Sequence, residues 1–204
     1  MKKTIIVLSS FTIFLSANAF KPLVNPELEI GKPIPGASLK MMDISGKEVS
    51  LADVKGENGL LVIFSCNTCP YVKLSEARIK ESATLARKNK IGVIAVNSNE
   101  AQRNDDDSFE AMKKYASSQV YDFNYVVDKN SKLANAFGAS RTPQCFLFDK
   151  KGLVYRGAID DNVKDASEAK EHYLNDAISA VGIGNTVKTS SSKSIGCSIK
   201  RMED

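Results

Sequence analysis

Apolar residues recur along this chain in two rhythms, and the alternation between them predicts the architecture. Leu60-Leu61-Val62-Ile63-Phe64 is an unbroken apolar run of strand length, the pattern of a strand buried on both faces. Residues 91–96 repeat that pattern. Between the two, Val72, Leu74, Ala77, Ile79, Ala83 and Leu85 are spread among Lys, Arg and Glu, which predicts a long helix. Upstream, Leu39, Met41 and Ile44 approach a turn at Ser45-Gly46, and Val49 and Leu51 follow, which predicts a hairpin. Downstream, residues 107–118 read as a helix with Phe109, Met112 and Tyr115 on one face. Tyr125-Val126-Val127 reads as a strand, and residues 131–137 as a short helix stopped by Gly138. Residues 145–148 and 153–159 predict a strand pair across a turn at 149–152, and residues 166–181 a last helix. Strands alternating with helices imply an α/β fold: a central mixed sheet flanked by helices on both faces, with the final strand pair as an antiparallel edge.

The two ends of the chain follow different patterns. Met1-Lys2-Lys3 supplies positive charge, residues 4–15 are apolar with only hydroxyl residues interrupting them, and Ala17-Asn18-Ala19 is a small-x-small site. Residues 1–19 therefore predict a secretory signal peptide cleaved before Phe20, and with it a periplasmic protein. The apolar run is too short to span a bilayer comfortably. Residues 20–36 are a lead-in broken by Pro and Gly, residues 37–184 carry the alternating domain, and residues 185–204 read as a flexible Ser/Thr/Lys-rich tail containing Cys197.

Charge changes little in this picture. Cleavage removes Lys2 and Lys3 from the 28 basic residues, which leaves 26 against 24 acidic ones, too even a balance for a nucleic-acid binder. The run Asp105-Asp106-Asp107 reads as a solvated helix N-terminus, where negative charge is favoured.

Cysteine changes it more. The four cysteines, Cys66, Cys69, Cys145 and Cys197, are too few for a disulfide-stapled scaffold. A Cys-x-x-Cys loop is also too small to brace the fold by chain entropy, so reactivity explains the Cys66–Cys69 spacing better. The pair follows a buried strand and opens a helix, with Pro70 where a first turn tolerates proline. Free backbone N–H groups and the helix dipole would stabilise a thiolate there. Zinc would need two further ligands from Cys145, Cys197 and His172, with no second CxxC to match, so neither a metal nor another cofactor is expected. His172 reads as a surface residue within the last helix, and Cys145 as a buried, inert thiol. Thr142-Pro143 precedes the strand 144–148, and the residues alone leave its peptide bond cis or trans.

The chain also resembles a known group. Ile30-Gly31-Lys32-Pro33-Ile34-Pro35-Gly36, with Gly46 and Leu51 beyond it, is similar to the opening of the alkyl hydroperoxide reductase/thiol-specific antioxidant group. Cys66-Asn67-Thr68-Cys69-Pro70-Tyr71-Val72-Lys73 resembles the hallmark of its peroxiredoxin-like, thioredoxin-fold branch. So do Gly138-Ala139, Thr142-Pro143, Phe148-Asp149, the stretch from Tyr155 to Asn162, and the tail Gly196-Cys197-Ser198-Ile199-Lys200. The resemblance implies a thioredoxin-like fold, a cis Pro143, Cys66 as the exposed attacking thiol and Cys69 as the resolving one. The chain departs from the group in two respects. A peroxiredoxin carries P-x-x-x-T-x-x-C, whereas Gly59 and Ile63, or Val62 and Cys66, hold the Pro and Thr positions here. Thioredoxins place a buried acid in the strand before the motif, and residues 60–64 contain none, so the proton acceptor for Cys69 is unassigned.

Three functions are consistent with these residues. The first is a thiol–disulfide oxidoreductase acting on protein or small-thiol partners. The second is a peroxidase, weakened by the missing Thr. The third is a copper carrier, ranked last because that type uses a longer Cys spacing and a distant His. Cys197 is expected to exchange with Cys66 or to pair between chains, since a tethered tail has a high local concentration.

Overall fold

A computed structural model of the protein describes residues 25–202. The expected signal peptide and its cleavage point lie outside the described residues. The elements run β1 (Met41–Asp43), β2 (Glu48–Val49), α1 (Leu51–Val54), β3 (Gly59–Ser65), α2 (Pro70–Lys88), β4 (Ile91–Asn97), α3 (Phe109–Gln119) and β5 (Asn124–Val127). They continue with α4 (Lys132–Phe137), β6 (Arg141–Thr142), β7 (Gln144–Phe148), β8 (Leu153–Gly157), α5 (Tyr173–Gly182) and β9 (Cys197–Ser198).

Seven strands form one mixed sheet in the order β2-β1-β5-β4-β3-β7-β8. The centre β5-β4-β3 is parallel, and β1 and β7 join it antiparallel. Every residue of β3 is buried, which is why its sequence does not alternate. Its side chains still do. Leu61 and Ile63 pack with Ile79 and Ala83 of α2 and with Leu174 and Ile178 of α5. Leu60, Val62 and Phe64 pack on the opposite face with Leu51 of α1 and with Leu133 and Phe137 of α4. Each such Leu, Ile or Phe contributes about 1.5–3 kcal/mol by leaving water. The fold class read from the sequence is the one observed: α/β, thioredoxin-like, with helices on both faces.

Three local expectations differ. The hairpin strands are shorter than the pattern suggests, because Ser50 caps α1 from within it. The Ser50 hydroxyl accepts the Asp53 N–H at 3.3 Å, and the Asp53 carboxylate accepts the Ser50 N–H at 2.8 Å. The last helix starts at Tyr173 rather than Ala166. The Asp161 carboxylate accepts the N–H groups of Lys170 (2.9 Å) and Glu171 (3.2 Å), and residues 166–168 make a single turn capped by Asp165. Side chains thus capture the amides that a longer helix would need.

The largest difference is the tail. Instead of a mobile extension, it is laid along the molecule and bonded to it. The Arg156 N–H donates to the Ser190 carbonyl and the Ser192 N–H to the Arg156 carbonyl, the Ser192 hydroxyl accepts the Ala158 N–H at 3.0 Å, and β9 pairs antiparallel with β6. Beyond β9, Ile199 is 6% exposed against the α4 face, and the Lys200 N–H donates to Asn99 Oδ1 at 2.9 Å. Ser and Thr in a low-complexity run satisfy a neighbour's backbone as readily as they solvate a linker.

Candidate active site

Strand β3 ends at Ser65, and the chain turns through Cys66, Asn67 and Thr68 before α2 begins. Cys69 is the N-cap of α2, with φ −65° and ψ 120°, and Pro70 occupies the first helical position. The helix therefore starts after the pair. Cys69 sits at its mouth and Cys66 precedes it, rather than both lying in the first turn. Cys66 is not the exposed thiol of the sequence reading: both cysteines are 2% exposed.

The cover comes partly from the loop after α4. The Thr142–Pro143 peptide bond is cis, and Thr142 meets both sulfurs. Its hydroxyl lies 3.4 Å from Cys66 Sγ, and its carbonyl oxygen lies 3.1 Å from Cys69 Sγ. Pro143 lines a small cleft with Ser75, Ile159, Asp160 and Ile195. Arg141 is exposed, its guanidinium donating to Ser198 Oγ at 3.1 Å and to the Gly196 carbonyl at 3.4 Å.

A polar cradle that the sequence reading missed lies beneath the Cys66–Asn67 turn. Asp107, expected on a solvated helix end, is fully buried. Its Oδ1 accepts the Asn67 N–H at 2.9 Å and the Asn97 amide at 2.7 Å, and its Oδ2 accepts the Asn99 amide at 2.8 Å. The Tyr125 hydroxyl accepts from the Asn97 amide at 3.0 Å and donates to Asn67 Oδ1 at 2.9 Å, and burial keeps that hydroxyl protonated. Arg103 bonds the carbonyls of Asp107 and Asn97, holding the loop in place. One signal could have pointed to this cradle. Asn97-Ser98-Asn99 is a polar run at the carboxyl end of a buried parallel strand, where α/β sheets form their sites. The acid missing from residues 60–64 is thus replaced near the motif by one from the loop before α3.

The two thiols act on each other, and this is the largest influence on both. It pushes the Cys66 thiol up, and burial and the Asp107 carboxylate add to the rise. It holds Cys69 down to about 4, and Cys197, Thr142 and the Val72 N–H at the helix mouth act in the same direction, against burial. The Thr142 carbonyl opposes charge on Cys69, but several donors outweigh one acceptor. The pair shares a proton and titrates as a unit. With the charge on Cys69, Cys66 keeps the proton. When the proton crosses, the Thr142 carbonyl accepts the S–H of Cys69 and the Thr142 hydroxyl is beside the Cys66 thiolate.

The remaining candidates separate clearly. Register puts Cys197 opposite Thr142, whose carbonyl oxygen lies 3.1 Å from Cys69 Sγ, and Cys197 and Cys69 influence each other's charge. Cys145 lies opposite Ile63 in the centre of the sheet, where burial first, and Asp160 to a smaller extent, push it up to about 12. His172 is exposed at the residue before α5 rather than within it.

A buried strand, a dithiol at a helix mouth and a cis-proline loop facing it define a thioredoxin-fold redox protein. Comparison with known proteins narrows the class. The AhpC/TSA family pattern matches residues 30–156, and the chain belongs to that family. It is therefore a peroxiredoxin-like oxidoreductase of the thioredoxin superfamily. A hypothetical protein of Sinorhizobium meliloti 1021 is 31% identical, with 88% of this chain and 98% of that one covered and a TM-score of 0.79. A conserved protein of Geobacillus kaustophilus is 32% identical, with 86% and 94% covered and a TM-score of 0.80. The thiol-disulfide oxidoreductase ResA of Geobacillus thermodenitrificans is 26% identical over 132 residues, which cover 65% of this chain and 70% of that one.

Proposed function

We propose that the Cys66–Cys69 pair of this oxidoreductase exchanges disulfides with protein or small-thiol partners. The observation that carries the reading is the meeting of both sulfurs at Thr142, beside cis-Pro143. Cys69 accepts the Cys66 proton, and the Cys66 thiolate attacks the partner disulfide, forming a mixed disulfide and releasing one partner sulfur as thiolate. That sulfur takes the proton from Cys69. Cys69 then attacks Cys66 Sγ, the second partner sulfur leaves, and the protein carries the Cys66–Cys69 disulfide. Cys69 is thus both the proton acceptor for Cys66 and the resolving thiol. Thr142 orients the pair, and Pro143 lines the cleft where the partner binds.

Export belongs to the same proposal. Lys2-Lys3, the apolar residues 4–15 and Ala17-Asn18-Ala19 support removal of residues 1–19 and a periplasmic setting. A dithiol of this kind meets disulfide substrates in an oxidising compartment. Intact-mass measurement of protein from the cell envelope reads the N-terminus directly. Phe20 supports export and a retained Met1 overturns it.

One observation favours peroxide as an alternative substrate. The Thr142 hydroxyl supplies, from a different part of the chain, the group that the peroxiredoxin pattern lacks here. Peroxide cleavage also needs stabilisation of the leaving oxygen, and Arg141 is turned to the tail. The experiment is stopped-flow oxidation of the reduced protein by hydrogen peroxide, beside oxidation by a model protein disulfide. Fast disulfide exchange with a slow peroxide step supports the proposal. A peroxide rate orders of magnitude above that of a free thiolate replaces it with the peroxidase reading.

A further inference from the structure

The dithiol is closed off and the tail that closes it carries a cysteine. Cys66 and Cys69 are each 2% exposed, whereas Cys197 is only partly covered. Strand β9 pairs Thr142 with Cys197 and Arg141 with Ser198, so the tail occupies the free edge of the cis-proline strand. An incoming extended segment would otherwise add to that edge.

The close fit has a local cause. A Cβ at Gly196 would lie 2.2 Å from the Thr142 carbonyl oxygen, the same oxygen that is 3.1 Å from Cys69 Sγ. Glycine there lets the tail come down onto the loop. On the far side, the Ile199 N–H donates to the Ser140 carbonyl at 3.1 Å, and Arg201 donates to the Ala139 carbonyl at 2.6 Å. Cys197 is therefore held opposite Thr142 from both sides, the same residue that touches the sulfurs of Cys66 and Cys69.

We propose that Cys197 is a third redox thiol that exchanges with Cys69, moving the disulfide from the closed pair to the tail. The proposal rests on the reading of Cys66–Cys69 as the redox pair. In the step, Cys197 Sγ attacks Cys69 Sγ of the oxidised pair. The Cys66–Cys69 bond breaks, the Cys69–Cys197 bond forms, and Cys66 leaves as a thiolate that takes the proton lost by Cys197. One S–S bond replaces another, so no oxidant or reductant is consumed. A thiol of a partner then attacks the more accessible Cys197 sulfur, Cys69 leaves as a thiolate, and a second partner thiol resolves the Cys197 mixed disulfide, which leaves the tail reduced.

The electrostatics time this step. Burial first, then the hydrogen bond and charge of Cys69, push the Cys197 thiol up to about 11, while Lys200 and Arg141 pull it down. Oxidation of Cys69 removes its contribution. Cys197 is therefore most acidic when there is a disulfide beside it to attack. Cys145, fully buried in the sheet, takes no part.

The test is a linkage map. The full mature chain carrying Cys66→Ser is treated with one equivalent of oxidised glutathione, acid-quenched, digested without reduction and mapped by mass. The expected product is an intramolecular Cys69–Cys197 bond, formed about tenfold or more faster than a Cys66–Cys197 bond in Cys69→Ser, since tethering raises local concentration only for the sulfur in contact. A glutathione adduct or a cross-linked dimer in its place overturns the proposal, as does equal bonding in the two variants. Wild-type protein, oxidised briefly and quenched, needs no folded variant. It should contain Cys69–Cys197 beside Cys66–Cys69, and its absence throughout the time course also overturns the proposal. Wild-type exchange with a model protein disulfide is measured in parallel. Normal exchange without the Cys69–Cys197 linkage defeats the relay alone, and no exchange defeats the dithiol reading beneath it.

Discussion

Cys145 and Cys69 are hidden equally well, 0% and 2% exposed, yet their surroundings give them opposite chemistry. Cys145 lies at mid-sheet between Ile63 and Gly157, where nothing favours a charged sulfur and burial keeps it a thiol. Cys69 lies at a helix mouth, where Cys66, Cys197, Thr142 and the Val72 N–H all favour charge on its sulfur. Burial sets how expensive a thiolate is, and the count of donors around the sulfur decides whether it forms. The difference is positional: one cysteine faces other side chains at the middle of a strand, and the other sits at the N-cap of a helix beside a second thiol.

The comparison can be broken most severely by deleting one member of the pair. Cys69→Ser removes both the proton acceptor and the resolving thiol, and disulfide turnover should fall on the order of 10³-fold, because groups that act as a unit fail together. Mixed disulfides should accumulate on Cys66 in that variant and be scarce in Cys66→Ser, where Cys69 turns to Cys197. Equal trapping in both variants, read by non-reducing mass mapping, would contradict the assigned roles.

Asp107→Ala tests the cradle. It removes the acceptor for three donors at once, those of Asn67, Asn97 and Asn99. Stranded buried groups of this kind cost about 1–3 kcal/mol each before water enters, so denaturant melts should show a loss of roughly 3 kcal/mol. The sign of the pH effect is also determined. The Asp107 charge raises Cys66, so its removal moves the thiolate absorbance and the exchange rate to lower pH. A shift to higher pH would contradict this account.

Gly196→Ala should act on access more than on chemistry. The new methyl meets the Thr142 carbonyl, the tail lifts, and alkylation of the reduced pair should accelerate about tenfold by release of a two-residue strand. Stability should fall by about 1–2 kcal/mol from the overpacking. An unchanged alkylation rate would mean that the tail does not cover the pair in solution.

Cys145→Ala should matter least. It trades a buried sulfur for a small void, costing roughly 1 kcal/mol in a melt, with exchange kinetics unaltered. Slowed exchange in this variant would show that the inert thiol is not inert.

How much of this was legible in the sequence depends on the range of the interaction involved. The run 60–64, the CxxC that follows it and Pro70 at the helix start are neighbours in the chain, and their reading survives, with the helix beginning just after the pair instead of around it. The short helix stopped by Gly138 survives for the same reason. Asp107 does not, because an acid beside Asp105 and Asp106 has the pattern of a solvated turn. Only the loop's path inward, braced by Arg103, brings its carboxylate beneath Asn67. The tail failed similarly: Ser192 and Gly196 look like linker residues until Arg156 and Thr142 are found against them.

The sequence by itself determined the class of sheet, the position of the dithiol at the end of a buried strand, and the burial of Cys145. Each of these follows from periodicity, composition or spacing within a few residues. Only the tertiary structure decided that Cys66 is covered, that Asp107 supplies the buried acid, and that Cys197 lies opposite Thr142. Those are contacts between residues 40 to 76 positions apart, as 67 to 107 and 66 to 142 are. The local pattern at either end is compatible with many partners, and a hydrogen bond or a glycine-sized gap selects one only after the sheet has closed.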